Sequence, residues 1–205
     1  MDKIIRIALF ASGSGTNVEN IAKYFDGRTT AKPVCVLCNK PDAFVLERAK
    51  RLGLDSMTFN RADFNDGKRI MEYLNKYKVD MIVLAGFLWL VPQYLIDAYP
   101  SRIVNIHPAL LPKFGGKGMY GMHVHEAVKQ SGETETGITI HLIDGNYDQG
   151  STVFQAKVQV SPTDSPDDIA TKVHALEYEY YPKVIEDIAC KVVASNDKTD
   201  KMQIN

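Results

Sequence analysis

Lys3-Ile4-Ile5-Arg6-Ile7-Ala8-Leu9-Phe10 runs into Ala11-Ser12-Gly13-Ser14-Gly15-Thr16-Asn17, and this join decides the fold. The first block is an apolar run of strand length. The second is a glycine-serine turn that opens a helix, predicted from about Thr16 to Phe25. Glycines let the backbone turn tightly, and free N–H groups at a helix start suit a phosphate. Val18 stands where a dinucleotide fingerprint needs its third glycine, and no Gly-Lys-Ser/Thr closes the loop, so neither that fingerprint nor a Walker loop fits. A plain capped helix start is the bland reading of the same residues, with Thr16 or Ser14 as N-cap.

The alternation continues outward. Residues 34–38 read as a second strand, 42–52 as a helix ended by Gly53, and 55–59 as a short third strand. A helix over 63–77 leads to a fourth strand at 80–85. A short helix after Pro92 precedes a fifth strand that ends at Ile106. Strand and helix in turn predict an α/β fold with a doubly wound, mainly parallel sheet. Beyond Pro108 the pattern changes: 110–122 is a glycine-rich loop and 123–130 a helix. Ile138, Ile140 and Leu142 alternate with Thr139, His141 and Ile143, the period of a half-buried strand. Residues 152–160 form another strand, and a helix over 165–190 is expected to bend near Pro182. Two late strands with no long helix between them predict an antiparallel extension of the sheet, followed by a long C-terminal helix. Residues 1–194 are expected to form one domain and the polar residues 195–205 a flexible tail, with no internal repeat or linker.

Length and composition narrow the function classes. The chain has 205 residues, enough for one well-buried domain, with 24 Lys plus Arg against 25 Asp plus Glu. A net charge of −1 gives no reason to expect a polyanionic partner, while a local phosphate site stays open. The longest apolar stretch, residues 81–92, is too short to span a bilayer, and the amino terminus has no signal-peptide layout. A soluble, cytoplasmic protein is expected. Three cysteines fit a reducing compartment. Cys35 and Cys38 sit three apart in a strand and face opposite sides, so they are read, with Cys190, as packing residues.

Asn105-Ile106-His107-Pro108, then Leu110-Leu111-Pro112, closes the fifth strand, because Pro108 and Pro112 forbid a helix immediately afterwards. Asn105 and His107 share one strand face. At the carboxyl end of an open α/β sheet such a pair could hydrogen-bond a developing oxyanion. A satisfied histidine at a strand end is the bland reading. Three further blocks bear on the choice. They are the 11–17 loop, Val79-Asp80-Met81-Ile82-Val83-Leu84-Ala85-Gly86-Phe87-Leu88, and Thr136-Gly137-Ile138-Thr139-Ile140-His141-Leu142-Ile143-Asp144 with Gly145-Asn146-Tyr147-Asp148-Gln149-Gly150 after it.

In order and spacing, the four blocks resemble the phosphoribosylglycinamide formyltransferases of purine biosynthesis, over about residues 4–188. The resemblance implies formyl transfer from 10-formyltetrahydrofolate to the amine of 5-phosphoribosylglycinamide, by direct attack through a tetrahedral intermediate and without a metal. It implies Asn105, His107 and Asp148 as the catalytic trio. It assigns Gly15, Thr16 and Asn17 to the ribonucleotide phosphate loop, with Pro108 and Glu177 as further substrate contacts. Leu88, Trp89, Leu90 and Val91, with Asn105, Ile143 and Asp144, line the folate cleft. Expected partners are these two small molecules, with no nucleic acid and no membrane. By residue type alone, 87–91 is core, Glu177 a solvated helix residue and Asp148 a turn residue before Gly150. A carboxylate meeting His107 would favour the imidazolium; Asp148 is preferred to Asp144 because Asp144 aligns with the start of its loop.

Some residues depart from that pattern or need separate readings. The stretch 113–122 is longer than in the shorter bacterial relatives and reads as a possible lid. The segment Phe64-Asn65-Asp66-Gly67-Lys68 lacks the arginine that contacts the folate tail in some relatives; Lys68 is the substitute at hand. His174 stands where a glutamine is expected. His123 and His125 diverge on a helix and do not make a metal pair. His141 is a candidate to line the site. Two rivals share the catalytic trio: a formyltetrahydrofolate deformylase, expected to carry an extra amino-terminal domain, and a methionyl-tRNA formyltransferase, expected to carry a carboxyl-terminal tRNA-binding domain and basic surface. A noncatalytic folate- or nucleotide-binding module is the rival from another class.

Overall fold

The computed structural model of the protein describes residues 3–143 and 150–202. Its centre is a seven-stranded sheet in the order β3-β2-β1-β4-β5-β6-β7. The parallel strands are β1 (Ile5–Ala11), β2 (Ala31–Cys38), β3 (Asp55–Thr58), β4 (Met81–Leu84) and β5 (Ile103–His107). β6 (Glu135–Leu142) and β7 (Thr152–Gln159) join antiparallel, as the late strands of the sequence predict.

The apolar run of β1 follows from burial on both faces. Ile5, Ile7, Leu9 and Ala11 enter one core cluster, and Ala8 and Phe10 the other. Cys38 and Cys35 divide the same way, both fully buried. Cys190 does not follow: it is exposed. From β1 the chain builds outward to β2 and β3, then returns to place β4 on the other side of β1. That reversal opens a crevice beyond the carboxyl ends of β1 and β4, the usual ligand position in open α/β sheets.

The helices are α1 (Thr16–Phe25), α2 (Val45–Arg51), α3 (Arg61–Asp66), α4 (Lys68–Lys76), α5 (Gln93–Ala98), α6 (Met122–Ser131) and α7 (Pro166–Met202). Three differ from expectation. The single helix predicted over 63–77 is two. Gly67 sits at φ +79°, and a Cβ there would lie 2.8 Å from the Tyr94 ring. Tyr94 Oη donates to the Phe64 carbonyl at 3.0 Å, so the ring that excludes a side chain also serves the end of α3. α2 begins later than expected, at Val45 rather than residue 42. α7 runs unbroken past Pro182 and past residue 190 to Met202. Proline removes the N–H that would reach the Tyr178 carbonyl, and Asn20 Nδ2 donates there instead at 3.0 Å.

β6 is also more enclosed than a half-buried strand. Thr139 and His141 on its alternate face are buried, as are Thr136, Ile138 and Ile140. α7 packs against this strand. Among the described residues, no helix is long and apolar enough to cross a membrane.

Candidate active site

The loops after β1, β4 and β5 line one cavity of about 670 Å³, together with the 116–121 loop and residues of α6 and α7. β5 carries Asn105 and His107 to its rim. Asn105 pairs in register with His141 of β6, and Asn105 Nδ2 lies 3.1 Å from His141 Nε2. An amide nitrogen donates, so His141 Nε2 accepts and its proton belongs on Nδ1. His141 is fully buried and fixes the carboxamide that faces the cavity. His107, 3% exposed, donates from Nε2 to the Phe114 carbonyl at 2.7 Å. A carbonyl only accepts, so Nε2 carries a proton. Phe114 meets this bond from a left-handed backbone, φ +56°, uncommon for a side chain of its size.

Thr139 secures the turn that follows. Its hydroxyl donates to the Ala109 carbonyl at 2.7 Å and accepts from the Leu111 N–H at 2.9 Å and from Gln155 Nε2 at 2.8 Å. Pro108 and Ile143 line the cavity, and the Ile143 N–H donates to the Ile103 carbonyl at 3.0 Å. Asp144 and Asp148 lie outside the described residues.

At the start of α1 the N-cap is Gly15, at φ +79°, with no side-chain capping bond. Neither Thr16 nor Ser14 caps the helix. A Cβ on Gly15 would meet Val45 Cγ2 at 2.4 Å, so the close approach of α2 demands glycine. Without a side-chain cap, the first-turn N–H groups suit an anion. Asn17, in the first turn of α1, is buried and donates from Nδ2 to Glu177 Oε2 at 2.9 Å. Glu177 is therefore no solvated helix residue. Burial pushes its carboxyl upward, opposed by the Asn17 hydrogen bond and by His174.

Past β4 the apolar stretch splits by face. Phe87 and Val91 are core, whereas Leu88 and Leu90 are 37% and 40% exposed and line the cavity. The Leu88 N–H donates to Ser12 Oγ at 3.0 Å, tying this wall to the loop after β1. Arg61 places its guanidinium 3.7 Å over the Trp89 ring. Arg61 opens α3, three residues ahead of Phe64, and the packing of α3 brings it onto Trp89.

His123 and His125 diverge, His123 exposed and His125 2% exposed and lining the cavity. Burial first, then His174 and His107, pulls the His125 imidazole down to about 4. His174 also lines the cavity, its ring 6.3 Å from that of His125. Sequence reasoning misses Ser12 and His125 as cavity residues, and Thr139 and Phe114 as the groups that hold the turn after β5. For Ser12 and Thr139 the signals are long-range contacts, invisible in spacing, whereas Phe114 lies seven residues from His107 in the turn.

The sequence profile of the family described as "Formyl transferase" matches residues 5–185. The chain belongs to the formyl transferase family. Among curated members it is 40% identical to the chloroplastic phosphoribosylglycinamide formyltransferase of Arabidopsis thaliana over 88% of its own length and 64% of that protein's. It is 35% identical to the phosphoribosylglycinamide formyltransferase of Haemophilus influenzae, over 88% of this chain and 85% of that one. The glycinamide ribonucleotide transformylase 1 structure from Symbiobacterium toebii superposes with a TM-score of 0.82 at 34% identity, covering 91% of this chain and 88% of that chain. The formyl transferase fold accounts for the mainly parallel sheet, its antiparallel strands and the long C-terminal helix.

Proposed function

We propose that this protein transfers the formyl group of 10-formyltetrahydrofolate to the glycinamide amine of 5-phosphoribosylglycinamide, a step of purine biosynthesis. One observation carries the reading. A single cavity joins an uncapped helix start suited to phosphate, an apolar wall suited to a flat heterocycle, and the Asn105–His107 pair. The substrate amine attacks the formyl carbon. The bond from that carbon to the folate nitrogen then breaks, that nitrogen gains a proton and the new amide nitrogen loses one. Asn105 Nδ2 and the His107 imidazole stabilise the oxygen as it becomes anionic. Asp148 is assigned as the carboxylate that keeps His107 cationic and assists proton removal from the amine.

Gly15, Thr16 and Asn17 hold the phosphate, and Glu177 with Pro108 contacts the rest of the ribonucleotide. Glu177 has the buried setting to do so, braced by Asn17. Leu88, Trp89, Leu90, Val91, Ile143 and Asp144 hold the pterin, and Arg61 beside Trp89 takes the anionic folate tail.

The test is consumption of 10-formyltetrahydrofolate with and without the ribonucleotide. Consumption that requires the ribonucleotide, with formylated product, is the expected result. Equal consumption without it would identify a hydrolase, and binding of both ligands without turnover a noncatalytic module.

A further inference from the structure

α2 stands outside the cavity yet holds the loop that forms one of its walls. The Val45 N–H donates to the Gly13 carbonyl at 3.1 Å. One turn on, Arg48 Nε donates to the Ser14 carbonyl at 2.9 Å. The same guanidinium pairs with Glu19 in the first turn of α1 and lies 5.1 Å from the Phe44 ring. Its side chain is 21% exposed.

A trans peptide is planar, with C=O and N–H pointing in opposite directions. Drawing the Gly13 and Ser14 carbonyls toward α2 therefore turns the next N–H groups, those of Ser14 and Gly15, away from it. Ser14 and Gly15 both line the cavity. Successive N–H groups on one side of a turn form an anion-binding concavity. The charge pattern agrees: Glu19 would repel a phosphate at this helix start, and Arg48 and Lys23 both pair with its carboxylate.

We propose that Arg48 is a positioning residue for phosphate recognition, orienting the Ser14–Gly15 peptide so that its N–H faces the anion while neutralising Glu19. The inference rests on the proposed use of this loop for the ribonucleotide phosphate. Arg48 touches no substrate; it acts through the loop.

Arg48→Met should raise the KM for the ribonucleotide roughly tenfold, the effect of one charge-assisted hydrogen bond, while kcat and the folate KM stay close to wild type. Arg48→Lys should fall between, since an ammonium keeps the charge but lacks the fork to serve Ser14 and Glu19 together. Adding Glu19→Gln to Arg48→Met should recover only part of the loss. Full recovery would leave charge alone as the cause and overturn the positioning role, as would equal weakening of both substrates. Calorimetric titration with inorganic phosphate needs no turnover. It should show weaker binding in Arg48→Met than in wild type even if the acceptor proves to be another phosphorylated compound, and unchanged phosphate affinity would reject the inference. Wild-type turnover in the same assay tests the proposed reaction separately.

Discussion

At Asn105 the carboxamide is oriented by a histidine from the neighbouring antiparallel strand, and at His107 one imidazole nitrogen is tied to a loop carbonyl. Both donors are thus set by protein partners before any substrate arrives, which is the condition under which such groups lower a barrier. Asn105→Ala and His107→Ala should each reduce turnover by roughly two decades or more, with the folded circular dichroism spectrum retained and a lower melting temperature from the buried partner left unpaired. Ordinary turnover in His107→Ala would remove the proposed mechanism. Asn105 and His107 are readable from the sequence because they occupy one face at the end of a strand, and strand period is local information. The partner that orients Asn105 is not, since His141 lies 36 residues away and meets it only through β5–β6 pairing.

Among the elements, the turn into α1 shows how a local pattern acquires its exact constraint from a neighbour. Glycine at 15 reads as permissive in the sequence, with a side-chain N-cap expected beside it. The left-handed φ and the closeness of Val45 explain both the glycine and the missing cap. Gly15→Val would place a β-branched residue at φ +79° and press its Cβ to within 2.9 Å of the Val45 backbone, so α2 must shift. The ribonucleotide KM should rise at least tenfold and the melting temperature should drop, with a smaller change in folate affinity. Gly13 has no positive φ, and a Cβ added to it would meet nothing within 4 Å. Gly13→Ala is therefore the matched control and should fold and bind nearly as wild type. Steady-state kinetics and thermal melts on the two variants separate the cases. The split between α3 and α4 has the same origin: Gly67 accommodates Tyr94, an aromatic ring 27 residues downstream that no helical periodicity announces.

Across the whole molecule, folding buries ionisable groups at the cavity, and stability should record it. His125 drops from its ordinary 6.5 to about 4 when folded, chiefly through burial. Between those values the unfolded chain binds a proton that the folded chain does not, so this residue makes stability fall as pH falls from 6.5 toward 4. Glu177 acts with the opposite sign: its raised carboxyl makes stability fall as pH rises above its ordinary 4.5. His125→Gln removes only the first contribution. Its urea midpoint should therefore decline less than that of wild type across pH 6.5 to 4, and parallel curves would show that His125 is no buried neutral histidine. The sequence by itself determined the α/β order, the antiparallel end of the sheet and the Asn105–His107 pair, because apolar period, glycine turns and proline stops are short-range effects. It also placed α1 at Thr16–Phe25. Tertiary structure alone decided the burial of Glu177 against Asn17, the histidine behind Asn105 and the arginine over Trp89. Each joins segments that only sheet pairing and helix packing bring together, and burial then changes what those side chains can do.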